Sequence, residues 1–587
     1  LFLTLPLDAV EQTGLLLPLL DASCQKGLEA GENPDSIIED FFALHKPHYG
    51  DREKINFLFK IIQYVERQVV LVDALEDAAY EKMHQTDKLK ILFDVIEKVE
   101  SNNLNEKFSE TLKNFGLRIT LTAHPTQFYP GPVLTIISDL TQAIARSDIS
   151  TVRNLLQQLG NTPFSRKEKP SPYEEATLLS WYLGNIFYPV MGQIIDEFSD
   201  QYEQEVIQNQ QFMSLGFWPG GDRDGNPFVN VETTSRVAAK LRYSIAHCYH
   251  LDILKLKRRL TFEKTYKILE SIETQLHGEL SESNPVYTLD TPTLVKKLNE
   301  IERILLEKNQ GLYVDELRSF KRKVNLFGFY FSSLDIRQDS RIINKALTAV
   351  REKDPSLLPN IDELNEAQQI DQLLNASGKI DSDSFSETIL QDTLKSFSII
   401  SDIQELNGEP GCHRYIISNC HGAIDIARSY ALFQLCGWQD KKLSVDIVPL
   451  FESINDLRKA GEHMESIYSN PAYRKHLKNR GNRQTIMLGF SDGTKDGGYL
   501  MANWAIYRAK EDLTAVSRKA GVEVMFFDGR GGPTARGGGS SHLFYEALGK
   551  KIESNQIQMT VQGQTISSHY GIKPAAQHNL SLLIAAG

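Results

Sequence analysis

The segment Asp528-Gly529-Arg530-Gly531-Gly532-Pro533-Thr534-Ala535-Arg536-Gly537-Gly538-Gly539 offers the sharpest chemistry in the sequence. Glycine presents backbone amides without a side chain in the way and tolerates positive φ. Gly529, Gly531, Gly532, Gly537 and Gly538 could therefore fold amides around an oxyanion, while Arg530 and Arg536 add forked, charge-assisted hydrogen bonds. The Gly-Lys-Ser/Thr ending of a nucleotide P-loop is missing, so ATP or GTP is not implied. A second glycine-rich stretch, Gly489 to Gly498, holds Asp492 and Lys495. Asp492 and Glu452, from neighbouring strands, could offer oxygen ligands to a hard cation such as Mg²⁺ and leave most of its octahedral shell to water and substrate. Lys495 would face the same anion. His124, after the alternating Ile119, Leu121 and Ala123, could exchange protons near neutral pH.

Taken singly, each has an ordinary reading: a flexible linker, a solvated charge or helix cap, a hydrogen-bonding structural histidine. Two look-alikes fail outright. Asp222, Asp224 and Asn226 alternate like calcium ligands, but Pro227 stands where an EF-hand needs Gly and no glutamate closes the ring at Thr233. The pairs Cys412-His413 and Cys420-His421 match no zinc spacing.

What raises these residues above the ordinary is their position. Eight short apolar runs rich in Val, Ile, Thr and aromatics lie near 117–123, 212–218, 326–334, 414–418, 444–451, 484–490, 522–528 and 557–562. From the fourth onward they are separated by single-helix lengths, the pattern of a parallel (β/α)8 barrel. Longer helical insertions, about 125–211 and 228–325, follow the first two. Polar residues arrive at the exits: His124, Asp222 and Arg223, Arg337, Glu452, Asp492 and Lys495, Arg530 and Arg536. Barrel enzymes build their sites at the C-terminal ends of strands, so these residues are expected to converge. Residues 1–116 read as an N-terminal helical region. There Leu58, Ile61, Ile62, Val65, Val69 and Val72, then Leu89, Leu92, Phe93, Ile96 and Val99, fall at helical spacings expected of packed faces.

The 587 residues carry 64 basic and 76 acidic side chains, a net charge of −12, so nucleic acid is not an expected partner. No apolar run has membrane-spanning length, and no membrane role is expected. Five cysteines, odd in number and irregularly spaced, suggest free thiols in a reducing compartment, and with no export leader visible the expected location is cytoplasmic.

Together, Leu121 to Gln127, Phe217 to Pro227, Phe329 to Ser340, Pro449 to Glu452, Ile486 to Gly498 and Phe527 to Gly539 resemble the phosphoenolpyruvate carboxylase family, in the same order and over most of the chain. The resemblance implies a carboxy-lyase that joins phosphoenolpyruvate and bicarbonate to give oxaloacetate and phosphate, with Mg²⁺ or Mn²⁺ and no biotin. It implies that Glu452 and Asp492 hold the metal and that His124 is the general base. Arg337, Lys495 and Arg530 would bind phosphate and carboxylate, and Arg536 would stabilise carboxyphosphate. Trp218, Leu450 and Met487 would line an apolar pocket for the methylene carbon and CO₂. Four bases and one divalent ion against two carboxylates leave a positive excess suited to two acidic substrates.

Three departures stand out: Tyr129 and Pro130 replace a basic pair, Phe490 and Gly493 replace Tyr and Ser, and Asp528 replaces a His beside the anion loop. The resemblance also implies a homotetramer built from dimers, and further substrate arginines in a C-terminal helical region after the equivalent of Gly587, so that this stretch alone is expected to be inactive. Two rival readings are another enolate-forming, phosphate-binding lyase and a barrel homologue without turnover.

Overall fold

The computed structural model describes residues 13–84, 90–122, 129, 131–164, 170–209, 211–281 and 284–587. The chain forms two compact units, one of residues 1–87 with 126–169, the other of 88–125 with 170–587. Among the described residues no helix is long and apolar enough to cross a membrane, and the five cysteines are free.

The smaller unit is helical. Phe57 and Ile61 of the long helix Asp51–His84 pack with Leu20, Phe41 and Phe42. Further along, Val70, Leu71 and Ala74 pack against Val133, Ile136 and Leu140 of Gly131–Ala145 and Leu155, Leu156 and Leu159 of Ile149–Asn161. Buried Arg67 donates to the carbonyls of Leu159, Gly160 and Thr162, a cation closing the C-terminal end of that last helix. The apolar spacing of Asp51–His84 is only partly buried, contrary to its reading as a packed face. Ile61 is in the core, but Ile62, Val65, Val69 and Val72 are 53%, 40%, 46% and 38% exposed. On Lys90–Ser101, a helix of the larger unit, the spacing does mark a core face through Leu92, Ile96 and Val99, with Phe93 turned to the surface; Leu89 lies outside the described residues.

The larger unit contains a closed barrel of eight parallel strands in sequence order: β1 Gly116–Leu121, β2 Met213–Phe217, β3 Ser333–Asp339, β4 Arg414–Ser418, β5 Asp446–Phe451, β6 Arg483–Gly489, β7 Glu523–Gly529 and β8 Gln556–Val561. β1 closes the cylinder on β8 over six residues, Gly116 with Gln556 through Leu121 with Val561. Helices surround it, making a (β/α)8 barrel within a mostly helical chain. The strands are buried on both faces, which is why they read as near-continuous apolar runs.

Inside the cylinder, alternate residues build two kinds of layer. Arg118 of β1 pairs with Asp335 of β3 at 2.6 Å, and Arg414 of β4 donates to Gln558 of β8 at 2.8 Å. Nearer the C-terminal ends, Trp218, Ile416, Val448, Leu450, Met487 and Phe527 form one buried cluster.

One expectation about local structure is corrected. The run 326–334 is not the third strand: Val314–Phe327 is a helix ended by Gly328 at φ 51°, and β3 begins at Ser333. A short fully buried apolar run carries no periodicity that separates helix from strand, so Phe327 to Phe331 was ambiguous. In consequence Arg337 lies within β3 rather than after it. Asp492 and Lys495 occupy the first turns of a helix, Phe490–Ala520, kinked at Gly498.

Candidate active site at the barrel mouth

Arg337 organises the C-terminal end of β3. Its backbone N–H donates to Gly221 O at 3.0 Å and its carbonyl accepts from Arg223 N at 2.9 Å, so the chain leaving β2 continues the ladder as a bridge between Asp222 and Arg337. Gly221 is required there, because a Cβ would sit 2.1 Å from Asp335 O. The Arg337 guanidinium meets Asp222 at 3.1 Å, Asp224 at 2.7 Å and Glu452 at 3.6 Å, and lies 5.1 Å from the centre of the Trp218 ring. Burial alone would lower its pKa, but the three carboxylates raise it, so Arg337 stays a cation. Burial pushes Asp222 up against the pull of that guanidinium.

Glu452 follows the last residue of β5. Gly489 lets it lie close, since a Cβ there would be 3.1 Å from Glu452 Cα. Burial, then the charges of Asp492 and Asp224, raise the Glu452 pKa to about 7 against the pull of Arg337. Its Oε1 is buried with no hydrogen-bond donor among the described residues. Asp496 accepts the Ile454 amide at 2.9 Å, which ties the exit of β5 to the helix that carries Asp492. Asp492 accepts from Lys495 Nζ at 2.7 Å, and both side chains are exposed, 50% and 72%. No group of three or more His, Cys, Asp or Glu is placed to hold a metal among the described residues. Glu452 and Asp492 are oxygen donors of the kind a hard cation takes, and Glu452 Oε1 has only the Arg337 guanidinium near it, at 3.6 Å.

The glycine loop leaves β7. Gly531 and Gly538 admit no side chain: their Cβ atoms would lie 1.7 Å from Thr560 O and 1.6 Å from Gly532 O. Arg530 is 5% exposed, sits 4.3 Å from the Phe544 ring centre and 5.4 Å from that of Phe490, and donates to Gly537 O at 3.0 Å and Asn503 Oδ1 at 3.3 Å. No carboxylate pairs with it among the described residues. Asp528 does not supply one, because its carboxylate is buried against Lys510 Nζ at 2.8 Å and the Tyr545 hydroxyl at 2.9 Å. Arg536 is exposed in the short turn Thr534–Arg536.

The structure thus places Trp218, Arg337, Glu452, Asp492, Lys495, Arg530 and the glycines at the C-terminal ends of β2, β3, β5, β6 and β7. Leu450 and Met487 share one cluster with Trp218. His124, like Pro130, lies outside the described residues. Tyr129 donates to Asp73 at 3.1 Å within the smaller unit. Arg223 pairs instead with Asp392 and Thr234. Sequence reasoning missed Asp222 and Asp224 as partners of Arg337, and these two acids reduce the positive excess assigned to the mouth. Their alternation resembled a calcium loop; the signal overlooked was that they follow β2, next to the strand that carries Arg337.

A family model described as phosphoenolpyruvate carboxylase matches residues 53–288 and 269–587. The chain is 28% identical over 551 residues to the phosphoenolpyruvate carboxylase of Nitrosomonas eutropha, covering 83% of this chain and 59% of that protein. It is 28% identical over 545 residues to that of Nitrosomonas europaea, covering 81% and 58%. The chain therefore spans less than two thirds of the length of these relatives. With a barrel of the expected topology and matches that run through every strand exit described above, the chain belongs to the phosphoenolpyruvate carboxylase family.

Proposed function

We propose that the protein carrying this chain forms oxaloacetate and phosphate from phosphoenolpyruvate and bicarbonate. The observation that carries this reading is Arg530: a buried guanidinium beside two touching aromatic rings, without a carboxylate partner among the described residues, at the base of a glycine loop on a barrel mouth. A cation held in that state is stabilised by an incoming dianion such as a phosphoryl group.

In this reading Arg530 holds the phosphoryl group, the amides of Gly532, Gly537 and Gly538 being already donated to the carbonyls of Arg530, Thr534 and Pro533, and Arg337 takes the carboxylate once Asp222 and Asp224 yield to it. The phosphorus–oxygen bond of phosphoenolpyruvate breaks as a bicarbonate oxygen attacks phosphorus, leaving carboxyphosphate and the enolate of pyruvate. Arg536, exposed on its turn, closes over carboxyphosphate. His124 removes its proton, and it parts into CO₂ and phosphate. The enolate carbon then attacks CO₂ above the Trp218, Leu450 and Met487 surface, which keeps water from protonating the enolate to pyruvate. Glu452 and Asp492 would hold Mg²⁺ or Mn²⁺, whose charge offsets that of the enolate oxygen. A cytoplasmic homotetramer is the setting this reading assigns to the protein.

Coupled reduction of the product by malate dehydrogenase and NADH tests the proposal in the protein carrying this chain. Oxaloacetate formation that requires bicarbonate and divalent metal is expected. Release of phosphate without bicarbonate dependence, or no oxaloacetate at all, overturns it in favour of another lyase or a barrel without turnover.

A further inference from the structure

Burial holds two lysines among the described residues below their ordinary pKa, Lys510 and Lys297. Lys510 has Asp528 as its counter-ion. Lys297 makes no ion pair among the described residues, and no charged neighbour adds to its shift. It lies half-buried on the helix Thr291–Lys308. Its Nζ reaches across to the helix Glu263–Glu279, where it donates to Ser271 Oγ at 3.0 Å and to Gln275 Oε1. Ser271 and Gln275 stand four residues apart, on one face of their helix. Gln275 Nε2 donates in turn to Thr288 Oγ1 at 3.4 Å. The amine thus sits in a cradle of neutral groups, two hydroxyls and an amide.

We propose that Lys297 is a carbamylation site, whose amine takes up carbon dioxide to give a carbamate held by Ser271, Gln275 and Thr288. The ammonium first gives a proton to water. The nitrogen lone pair then bonds to the carbon of CO₂, one carbon–oxygen π bond passes to oxygen as its negative charge, and a second N–H proton leaves to water. Amine and CO₂ thus give a carbamate anion and a proton, with no oxidant, reductant or cofactor. Two features single out this lysine. Lacking a carboxylate, it gives up its first proton more readily than a paired lysine does, and half-burial leaves a path for so small a reagent. The cradle also suits the product. A hydroxyl accepts or donates, and a side-chain amide turned half round presents N–H where it had oxygen. Ser271 and Gln275 accept from the amine before the reaction and donate to the carbamate after it, while Thr288 reverses its bond to Gln275. A carboxylate in that place would hold the ammonium and repel the product. Nothing in this argument depends on the carboxylase reading.

The experiment exposes the full chain to isotope-labelled bicarbonate at about pH 8, where CO₂ and free amine coexist. Carbamates are trapped as ethyl esters with triethyloxonium ion, and the label is located by peptide mass spectrometry. Label on Lys297 at least tenfold above that on Lys296, its exposed neighbour, is expected. Q275E sets a carboxylate against the amine and should reduce the label at least tenfold. S271A/Q275L leaves Lys297 in place but removes its cradle, and should reduce the label by a similar factor. Far-ultraviolet circular dichroism checks that both variants keep the fold. Absence of label at Lys297 overturns the proposal. So does label no greater than that on Lys296, and so does label indifferent to Q275E.

Discussion

Lys510 and Asp528 form an ion pair of 2.8 Å in which both side chains are almost wholly buried, 1% and 0% exposed. The carboxylate that the sequence places beside the anion loop thus belongs to the packing of β7 on the helix Phe490–Ala520, with the Tyr545 hydroxyl on the same oxygen. Lys510 and Arg530 flank the Phe544 ring at 5.0 Å and 4.3 Å, so this pair supports the aromatic wall on which Arg530 rests. Removing one partner of a buried pair strands the other, at a cost of about 3–5 kcal/mol. D528N is therefore expected to lower stability by that order in urea unfolding. K510M/D528N, which strands no charge, should lose clearly less than D528N alone, and equal losses would refute the pairing.

Glu452 supplies a pH signature. Its pKa of about 7 lies above the ordinary 4.5 because of burial and neighbouring acids. An acid shifted upward adds stability that is complete below its unfolded value and is lost as pH rises through its folded one. Wild type should therefore lose stability between pH 4.5 and pH 7 relative to E452Q, which thermal unfolding across that window will show. On the proposed reading metal affinity runs the other way, since the ionised carboxylate would be the ligand. Calorimetric Mn²⁺ binding should weaken about tenfold per pH unit below 7, and E452Q should bind weakly at every pH.

Arg337 is held by Asp222 and Asp224, and on the proposed reading each must yield before a substrate carboxylate can take the guanidinium. R337K loses the two-pronged geometry and should raise the KM for phosphoenolpyruvate at least tenfold. D224N removes the closer competitor and should lower that KM, or leave it unchanged while substrate inhibition by anions increases. A D224N enzyme with the KM of R337K would show that Asp224 binds substrate rather than competing with it.

On the proposed reading Asp335 positions the site from beneath. Its Oδ1 accepts from Arg118 at 2.6 Å and its Oδ2 from Trp218 Nε1 at 3.2 Å, and the Trp218 ring in turn lies against Arg337. D335N keeps the shape but weakens both bonds. It is expected to cut kcat by one to two orders of magnitude with a smaller change in KM, and to shift Trp218 fluorescence. An unaltered emission spectrum would detach Trp218 from this chain of contacts.

Much of the fold was legible. Period-two and buried runs located seven of the eight strands to within a few residues, because barrel strands are apolar on both faces and end in polar exits. The third was misplaced because Phe327 to Phe331, buried in a helix end and turn, has the composition of a strand. At the mouth, the positions of Glu452, Asp492 and the glycine loop could be read from local chemistry alone. The pairing of Arg337 with Asp222 and Asp224 could not, because it depends on a ladder between segments over a hundred residues apart. The Lys510 partner of Asp528 was hidden for a related reason: a lysine inside a helical pattern reads as surface until tertiary packing buries it.

The bridge between Asp222 and Arg337 also has a mechanical meaning. β2 and β3 share only the pairs Gly216 with Ser333 and Phe217 with Leu334 before that bridge, so this is a lightly laced joint of the cylinder. The lace that fastens its rim passes through the backbone of Arg337, whose side chain is moored in turn to Asp222, Asp224 and Glu452. Whatever anion docks there meets a stationary pivot, and any give must come from the acids on the 222–226 turn.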